Sequence, residues 1–541
     1  MKKPFKLVVF GLLLITTFSN AQDILWEKSY GGKHAEYLFD AQPTADYGFI
    51  LAGSSISGKT GNKEDVNKGD LDYWIWKMDE KGDLDWQKSF GGSGVDLLQS
   101  IRLTSDGGYI LAGISDSKKG LDKHDDAKGN DDFWIIKLDA KGNELWQKTI
   151  GGSGQEKLHS ITLTADGGYL LGGSSSSYKS ENTSGVADLF GKSEDTRGNM
   201  DYWVVKLKKD GTIEWQKTLG GKYADELKSV TVLENGNYLL GGTSNSPISG
   251  DKIEDNLGLN DFWLVQLDKT GNVIWQQTIG GEQDENLFAI TATKNGGFIA
   301  GGNSNSGTSN TKTKGSEKGS DFWVIKFDKD ANMLWQEVYN YGERDVLTSI
   351  IENEDGTYLI GGYAQSEITS NNAVLSKIKK GDKDGINDYI ALKISEKGEE
   401  IWTQTVGSKG EEVMKKLLET RDGGYLLTGT SNGKASKDKN NTIGGNDFWV
   451  VKLKDKTKPE KIKLPIEAFP NPAVTFTNII IGFDYTKGTA NVYDLSGRQL
   501  QTHTLDGNRT LPIEMTGYPT GIYIVEITTD KEKNSIKIIK K

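Results

Sequence analysis

The chain has 541 residues, a formal net charge of −11 and no cysteine. The acidic balance argues against nucleic acid as a partner, because phosphate binding needs a basic face. Without cysteine there are no disulfides, thiolate metal centres, cysteine nucleophiles or lipidated cysteines, so the fold must hold by packing.

At the start, Lys2, Lys3 and Lys6 precede an apolar run from Leu7 to Phe18, and Ser19-Asn20-Ala21 offers small residues for cleavage. The pattern reads as a secretory signal peptide over residues 1–21, too short to span a bilayer. No later apolar run is long enough either, so no transmembrane segment is expected.

From Trp26 to Lys454 one unit of roughly 60 residues recurs seven times, beginning at Trp26, Trp86, Trp146, Trp215, Trp275, Trp335 and Trp402. A fixed period in this range signals a propeller or a solenoid. The second copy shows the signals most cleanly. Leu97 to Thr104 alternates apolar and polar residues and ends at Asp106-Gly107-Gly108, a hairpin turn signal. Tyr109 to Ala112, Asp132 to Leu138 and Leu145 to Ile150 follow as short strands, with an 18-residue polar loop between the second and third. Four antiparallel strands per unit, without helical periodicity, make a propeller blade.

Thirteen of the 14 tryptophans fall at two repeat positions, one heading the third strand (Trp74, Trp134, Trp203, Trp263, Trp323, Trp449) and one in the fourth. Their recurrence points to packing between blades rather than to sugar stacking. The tight turn between the two strands predicts contact between the paired rings across the hairpin. The sixth copy departs, with Ile390 in place of the tryptophan. The seventh lacks a fourth strand, and Ile24 to Tyr30 is an unused copy of one. The N-terminal strand is therefore expected to complete the last blade and close the ring. The fold expected over residues 22–454 is an all-β, seven-bladed β-propeller of four-stranded blades.

In such a blade the second-to-third loops and the blade-to-blade crossovers share one face. The loops are 18, 18, 27, 18, 18, 25 and 17 residues long in blades one to seven and rich in Ser, Asn, Asp, Lys and Gly. Long polar loops on a rigid scaffold are where binding concentrates. The two longest, Ser174 to Met200 and Tyr363 to Asn387, break the repeat and are the expected ligand contacts.

Catalytic signals are weak. His34, His124, His159 and His503 share no repeat position, and no nucleophile elbow, P-loop or zinc motif occurs. The strand-heading acids (Asp72, Asp132 and their equivalents) and the strand lysines (Lys77, Lys137 and equivalents) recur in nearly every blade and read as structural. The acid-dense loop Asp122 to Asp132 offers oxygen ligands for calcium through Asp122, Asp125 and Asp126, although its spacing differs from an EF-hand. No other metal or cofactor is expected. The segment K-L-D-x-x-G-x-x-x-W resembles the tryptophan-docking motif of quinoprotein propellers over around ten residues per blade. That resemblance implies a propeller and not a quinone cofactor.

Residues 455–463 form a charged, proline-containing linker, and 464–541 read as a small all-β domain with runs at Ile479 to Phe483, Ala490 to Leu495 and Ile522 to Ile527. Phe469-Pro470-Asn471-Pro472, then Asp494-Leu495-Ser496-Gly497-Arg498, then Gly521-Ile522-Tyr523, ending in basic residues, resemble the type A C-terminal sorting domain of the Bacteroidetes type IX secretion system. The resemblance implies an Ig-like sandwich that carries cargo across the outer membrane, with Pro470, Asn471, Pro472, Asp494, Gly497, Arg498, Gly521 and Tyr523 as the sorting motif. The repeats are similar to glycine- and tryptophan-rich repeats of other cargo of that system.

The expected protein reaches the periplasm by its signal peptide and is then secreted or displayed on the outer cell surface. Its partners would be the type IX machinery and an extracellular glycan or surface protein, bound without catalysis. The alternative is a propeller polysaccharide lyase or glycoside hydrolase.

Overall fold

The computed structural model describes residues 22–180, 189–316, 319–365, 387–456, 458 and 464–541. The signal-peptide segment 1–21 and most of the linker lie outside them. Every regular element among the described residues is a β-strand.

Seven four-stranded antiparallel sheets follow one another through the repeats, as blades of a propeller would. The first runs in spatial order Glu36–Pro43, Phe49–Ser55, Asp72–Met78, Leu84–Phe90. The second repeats it with Asp96–Leu103, Tyr109–Ser115, Asp132–Leu138 and Glu144–Ile150. First strands of consecutive sheets lie side by side, and the first strand of the seventh sheet, Glu412–Glu419, lies beside Glu36–Pro43. The seventh sheet takes its outer strand from the N-terminus, Asp23–Tyr30, paired antiparallel with Asp447–Lys454. Trp26 faces Lys452 there, as Trp86 faces Lys77 and Trp146 faces Lys137 in sheets built from continuous chain. The closing strand thus uses the register that its sequence shares with the others.

The turn chemistry explains the D-G-G signature. Gly107 has φ +79°, and a Cβ on Gly108 would lie 2.1 Å from the Leu138 carbonyl oxygen. The turn aspartate reaches the third strand, where buried lysines bind it: Asp46–Lys77 at 3.0 Å, Asp166–Lys206 at 2.8 Å and Asp422–Lys452 at 2.8 Å. Each lysine is a buried cation with an acid partner, which is the condition under which such burial is tolerated.

Apart from Trp74–Trp76 and Phe298–Phe327, the aromatic contacts of the repeats run between sheets, which corrects the expectation of paired tryptophans in contact across the hairpin. Tyr73 packs on Trp134 of the next sheet at 4.8 Å, Phe133 on Trp203 at 4.7 Å and Tyr389 on Trp449 at 4.9 Å. Outer-strand tryptophans reach forward likewise, Trp86 to Tyr109 at 5.7 Å and Trp146 to Tyr169 at 6.1 Å. The hairpin partner of the strand-three tryptophan is a glutamine: Trp74 Nε1 donates to Gln87 Oε1 at 3.1 Å and Trp134 to Gln147 at 2.9 Å. A fully buried indole N–H needs such an acceptor. The sixth sheet has lost both members, with Ile390 and Thr403 at the two positions. In the seventh, Trp449 donates to Glu27 of the closing strand at 2.7 Å.

Each first strand carries a register shift after its third residue, as between Leu98 and Ser100, or after its fourth in Arg344–Glu352. The skipped positions are Phe39, Gln99, His159, Lys228, Phe288, Thr348 and Lys415.

The C-terminal residues form two sheets around one core. One contains Ile466–Phe469, Phe476–Ile481 and Thr510–Glu514; the other Gln499–Leu505, Gly488–Asp494, Gly521–Thr529 and Lys533–Lys540. Ile479, Ile481, Val492, Val525 and Ile538 are fully buried between them. The unit meets the tight-turn side of the repeat region. There the Arg421 guanidinium lies 4.3 Å from the Tyr47 ring and 4.4 Å from the Phe469 ring, and pairs with Glu467 at 2.9 Å. The long-loop side lies opposite.

Candidate functional site

The long-loop side is built on a buried polar frame that recurs from sheet to sheet. In five of the sheets the acid heading the third strand accepts from the loop that precedes it, for example Asp261 from Leu257 N–H at 2.6 Å and Asp447 from Gly444 N–H at 2.9 Å. In the first five sheets the acid opening the first strand accepts from the crossover glycine and from a serine. Examples are Asp225 with Gly221 N–H at 2.7 Å and Ser246 at 3.0 Å, and Glu285 with Gly281 N–H at 2.6 Å and Ser304 at 2.7 Å. In the sixth, Asp345 accepts from Tyr341 N–H, and in the seventh Glu412 accepts from Ser408 N–H. These acids tie loop to crossover, so they fix the platform from which the loops project.

Burial raises the pKa of most of them. Asp72, Asp201, Asp261 and Asp388 rise to about 6, and Asp132 and Asp345 to about 7, with a neighbouring acid adding to desolvation in each case. In the unfolded chain they titrate near 3.8, so between that value and 6–7 the folded state binds more protons. Stability from these groups is present at low pH and is lost as pH rises through 6–7. His159, whose folded pKa falls to about 3, and His503, lowered by burial, oppose this, but they are two groups against six. The thermal midpoint is therefore expected to be higher at pH 5 than at pH 7.5, and Asp132→Asn should flatten the dependence. A scanning-fluorimetry profile rising from pH 5 to 7.5 would contradict this assignment.

On this frame an open cleft of about 810 Å³ lies between the fifth and sixth sheets. Gln283, Asn305, Ser320, Glu343, Arg344 and Gln365 line it, presenting amides, a hydroxyl and one charge of each sign. Its floor is closely packed. Asp345 N–H donates to the Ser320 carbonyl at 2.7 Å, and Gly319, at φ +71°, has no room for a side chain because a Cβ would sit 1.7 Å from the Glu343 carbonyl oxygen. The volume falls within the range of small-ligand sites. Sequence reasoning did not find it, because its residues come from a crossover, a loop end and two strand ends that only the fold brings together.

The loops expected to carry the ligand are Ser174 to Met200 and Tyr363 to Asn387; residues 181–188 and 366–386 lie outside the described residues. The candidate calcium ligands are dispersed. Asp122 pairs with Lys68 and accepts from Gly91 N–H, Asp126 accepts from Lys119 N–H at 2.9 Å, and Asp125 is exposed. No group of three or more acidic or histidine side chains suited to a metal occurs among the described residues. The histidines are likewise apart: His34 and His124 are exposed and His503 lies in the C-terminal unit, beside Gln501 at 2.9 Å. His159 alone faces a cationic neighbour, Lys228 Nζ at 3.4 Å from its Nε2.

The sorting-motif residues serve turns and the last strand. Asn471 donates to the Lys537 carbonyl at 2.8 Å and accepts from Ile539 N–H at 2.9 Å, fixing the Pro470-Asn471-Pro472 segment to the C-terminal strand. Asp494 caps its turn by accepting from Ser496 N–H and Arg498 N–H, each at 3.0 Å, around Gly497 at φ +82°. Gly521 opens the strand that faces Lys540, and the Tyr523 hydroxyl donates to the Pro519 carbonyl at 2.8 Å.

The regulatory protein FlaEY of Caulobacter vibrioides is 22% identical over 410 residues, 74% of this chain and 36% of its own length. The chain thus spans only about a third of that relative. Among solved structures, puromycin hydrolase aligns over 92% of this chain and 59% of its own, at 9% identity and a TM-score of 0.43. A member of the duf4221 family from Bacteroides vulgatus aligns over 80% and 98%, at 9% identity and a TM-score of 0.32. Residues 467–541 match the family described as the secretion system C-terminal sorting domain. The chain therefore carries a type IX sorting domain at its C-terminus and is cargo of that system, exported to the cell surface or secreted.

Proposed function

We propose that this cargo is a non-catalytic binding module whose seven sheets are the blades of a closed β-propeller over residues 22–454. Residues 455–463 are the linker, and 464–541 an Ig-like sorting sandwich. The adjacency of the first strands, returning from the seventh sheet to the first, supports the ring. A signal peptide takes the chain to the periplasm, and the sorting domain takes it onward.

The ligand is a glycan held on the long-loop side, and the cleft at Asn305, Ser320 and Arg344 is the observation that carries this reading. Amide, hydroxyl and guanidinium groups on a closely packed floor match the hydrogen-bonding pattern of sugar hydroxyls. The tight-turn side is engaged by the C-terminal unit, which leaves the loop side for partners. The test is a glycan array with the full chain, with turnover assayed on every hit. Arg344→Ala is expected to weaken binding about tenfold with little change in melting, since Arg344 is exposed at a strand end. Chain cleavage of a hit would favour the lyase or hydrolase alternative, and unchanged affinity in Arg344→Ala would move the site away from this cleft.

A further inference from the structure

The repeats are nearly uniform, yet the skipped position of the first strands is not. Along these strands side chains alternate: Glu156 and Leu158 are buried between sheets, while Lys157 and His159 are partly exposed, and Glu226 and Lys228 repeat the pattern in the next sheet. In the proposed ring this second set points to the axis. Lys228 Nζ lies 3.4 Å from His159 Nε2 and donates to Glu226 at 2.7 Å; Lys157 reaches the same Glu226 at 3.1 Å. Lys415 comes from the seventh sheet, its Nζ 5.6 Å from the centre of the Phe39 ring. It is close enough for its charge to act on His159, four sheets away in sequence order. No carboxylate pairs with Lys415 among the described residues. Its neighbour Lys416 faces Asp40, which is already bonded to Arg102 at 2.6 Å.

Lys157 and Lys228 thus share one glutamate and Lys415 has none, so these side chains carry two uncompensated positive charges within a chain of net charge −11. Packing does not require this, because Phe288, Gln99 and Thr348 occupy the same position in other sheets. Burial disfavours the charged lysine and lowers the pKa of Lys415, so an unpaired cation there costs stability that a bound anion would return. Burial and the nearby lysines also push His159 down to about 3, so near neutral pH it is a neutral hydrogen-bonding group.

We propose that the axis of the propeller holds an oxyanion site, in which Lys415, Lys228 and Lys157 with His159 receive the carboxylate, sulfate or phosphate group of a ligand. The site is distinct from the loop-side cleft. It rests on the ring reading, which deletion of the closing strand tests separately, so its failure and the failure of the ring are distinguishable.

The experiment titrates the full chain by calorimetry with sodium sulfate and with sodium glucuronate, against glucose as the neutral control, at constant ionic strength. Saturable binding of one or both anions, with no glucose binding, is expected. Response to both assigns a site open to free ions, and response to glucuronate alone assigns one that takes the anion on a sugar. Lys415→Gln should weaken binding at least about tenfold and Lys415→Arg should restore most of it, as loss and retention of a charge-assisted contact require. Lys33→Gln, at an exposed lysine, should change nothing. Should Lys415→Gln fail to fold, Lys157→Gln supplies the same comparison. Absence of saturable binding by either anion, or equal affinity in the folded Lys415 or Lys157 variant, overturns the proposal.

Discussion

Removing Asp23–Tyr30 is expected to cost more stability than any single substitution in this protein. The deletion leaves Asp447–Lys454 as an unpaired edge along its whole register. It also takes away the buried Tyr30, whose hydroxyl donates to the Gly82 carbonyl at 2.7 Å, and the Glu27 acceptor of the buried Trp449 N–H. Burial of one large aromatic side chain is worth about 1.5–3 kcal/mol and each ladder hydrogen bond about 0.5–1.5 kcal/mol. Together these reach the scale of the whole stability of a typical domain, ~5–15 kcal/mol. A fall in thermal midpoint of roughly 10 °C or more, or outright failure to fold, is the expected result. Adding the segment back as a peptide should recover part of it. A truncated chain that melts within a degree or two of its parent would rule out closure by this strand.

Ending the chain at Lys454 should have the largest effect on location and little on folding. The seventh sheet is complete at that residue, and the C-terminal unit has its own core. The truncated protein is therefore expected to fold and to accumulate in the periplasm, as cell fractionation would show. Asn471→Ala is the finer test, because it removes two hydrogen bonds that hold the Pro-Asn-Pro segment on the last strand. Truncated protein on the surface or in the medium at the parent's level would sink the sorting assignment.

The sequence by itself determined the repeat number, the order of strands, the spare strand at the N-terminus and the tail motifs. Each is written in local or strictly periodic signals: D-G-G turns, a tryptophan every sixty or so residues, and loops of fixed length. Even the closing register was legible, since the pairing of Trp26 with Lys452 follows from a shared pattern. The short strands of the tail were less so: Ile466–Phe469 and Thr510–Glu514 are four and five residues long, too short to show a period. Only the tertiary structure decided which rings touch, because sheet twist and side-by-side packing carry Tyr73 to Trp134 rather than Trp74 to Trp86. It alone decided the sites. Lys157, His159, Lys228 and Lys415 come from three sheets, and in the proposed ring they face one axis because the strands alternate their side chains and the seventh sheet lies beside the first. Such a proposed convergence has no period along the chain, so no local signal relates four scattered basic residues.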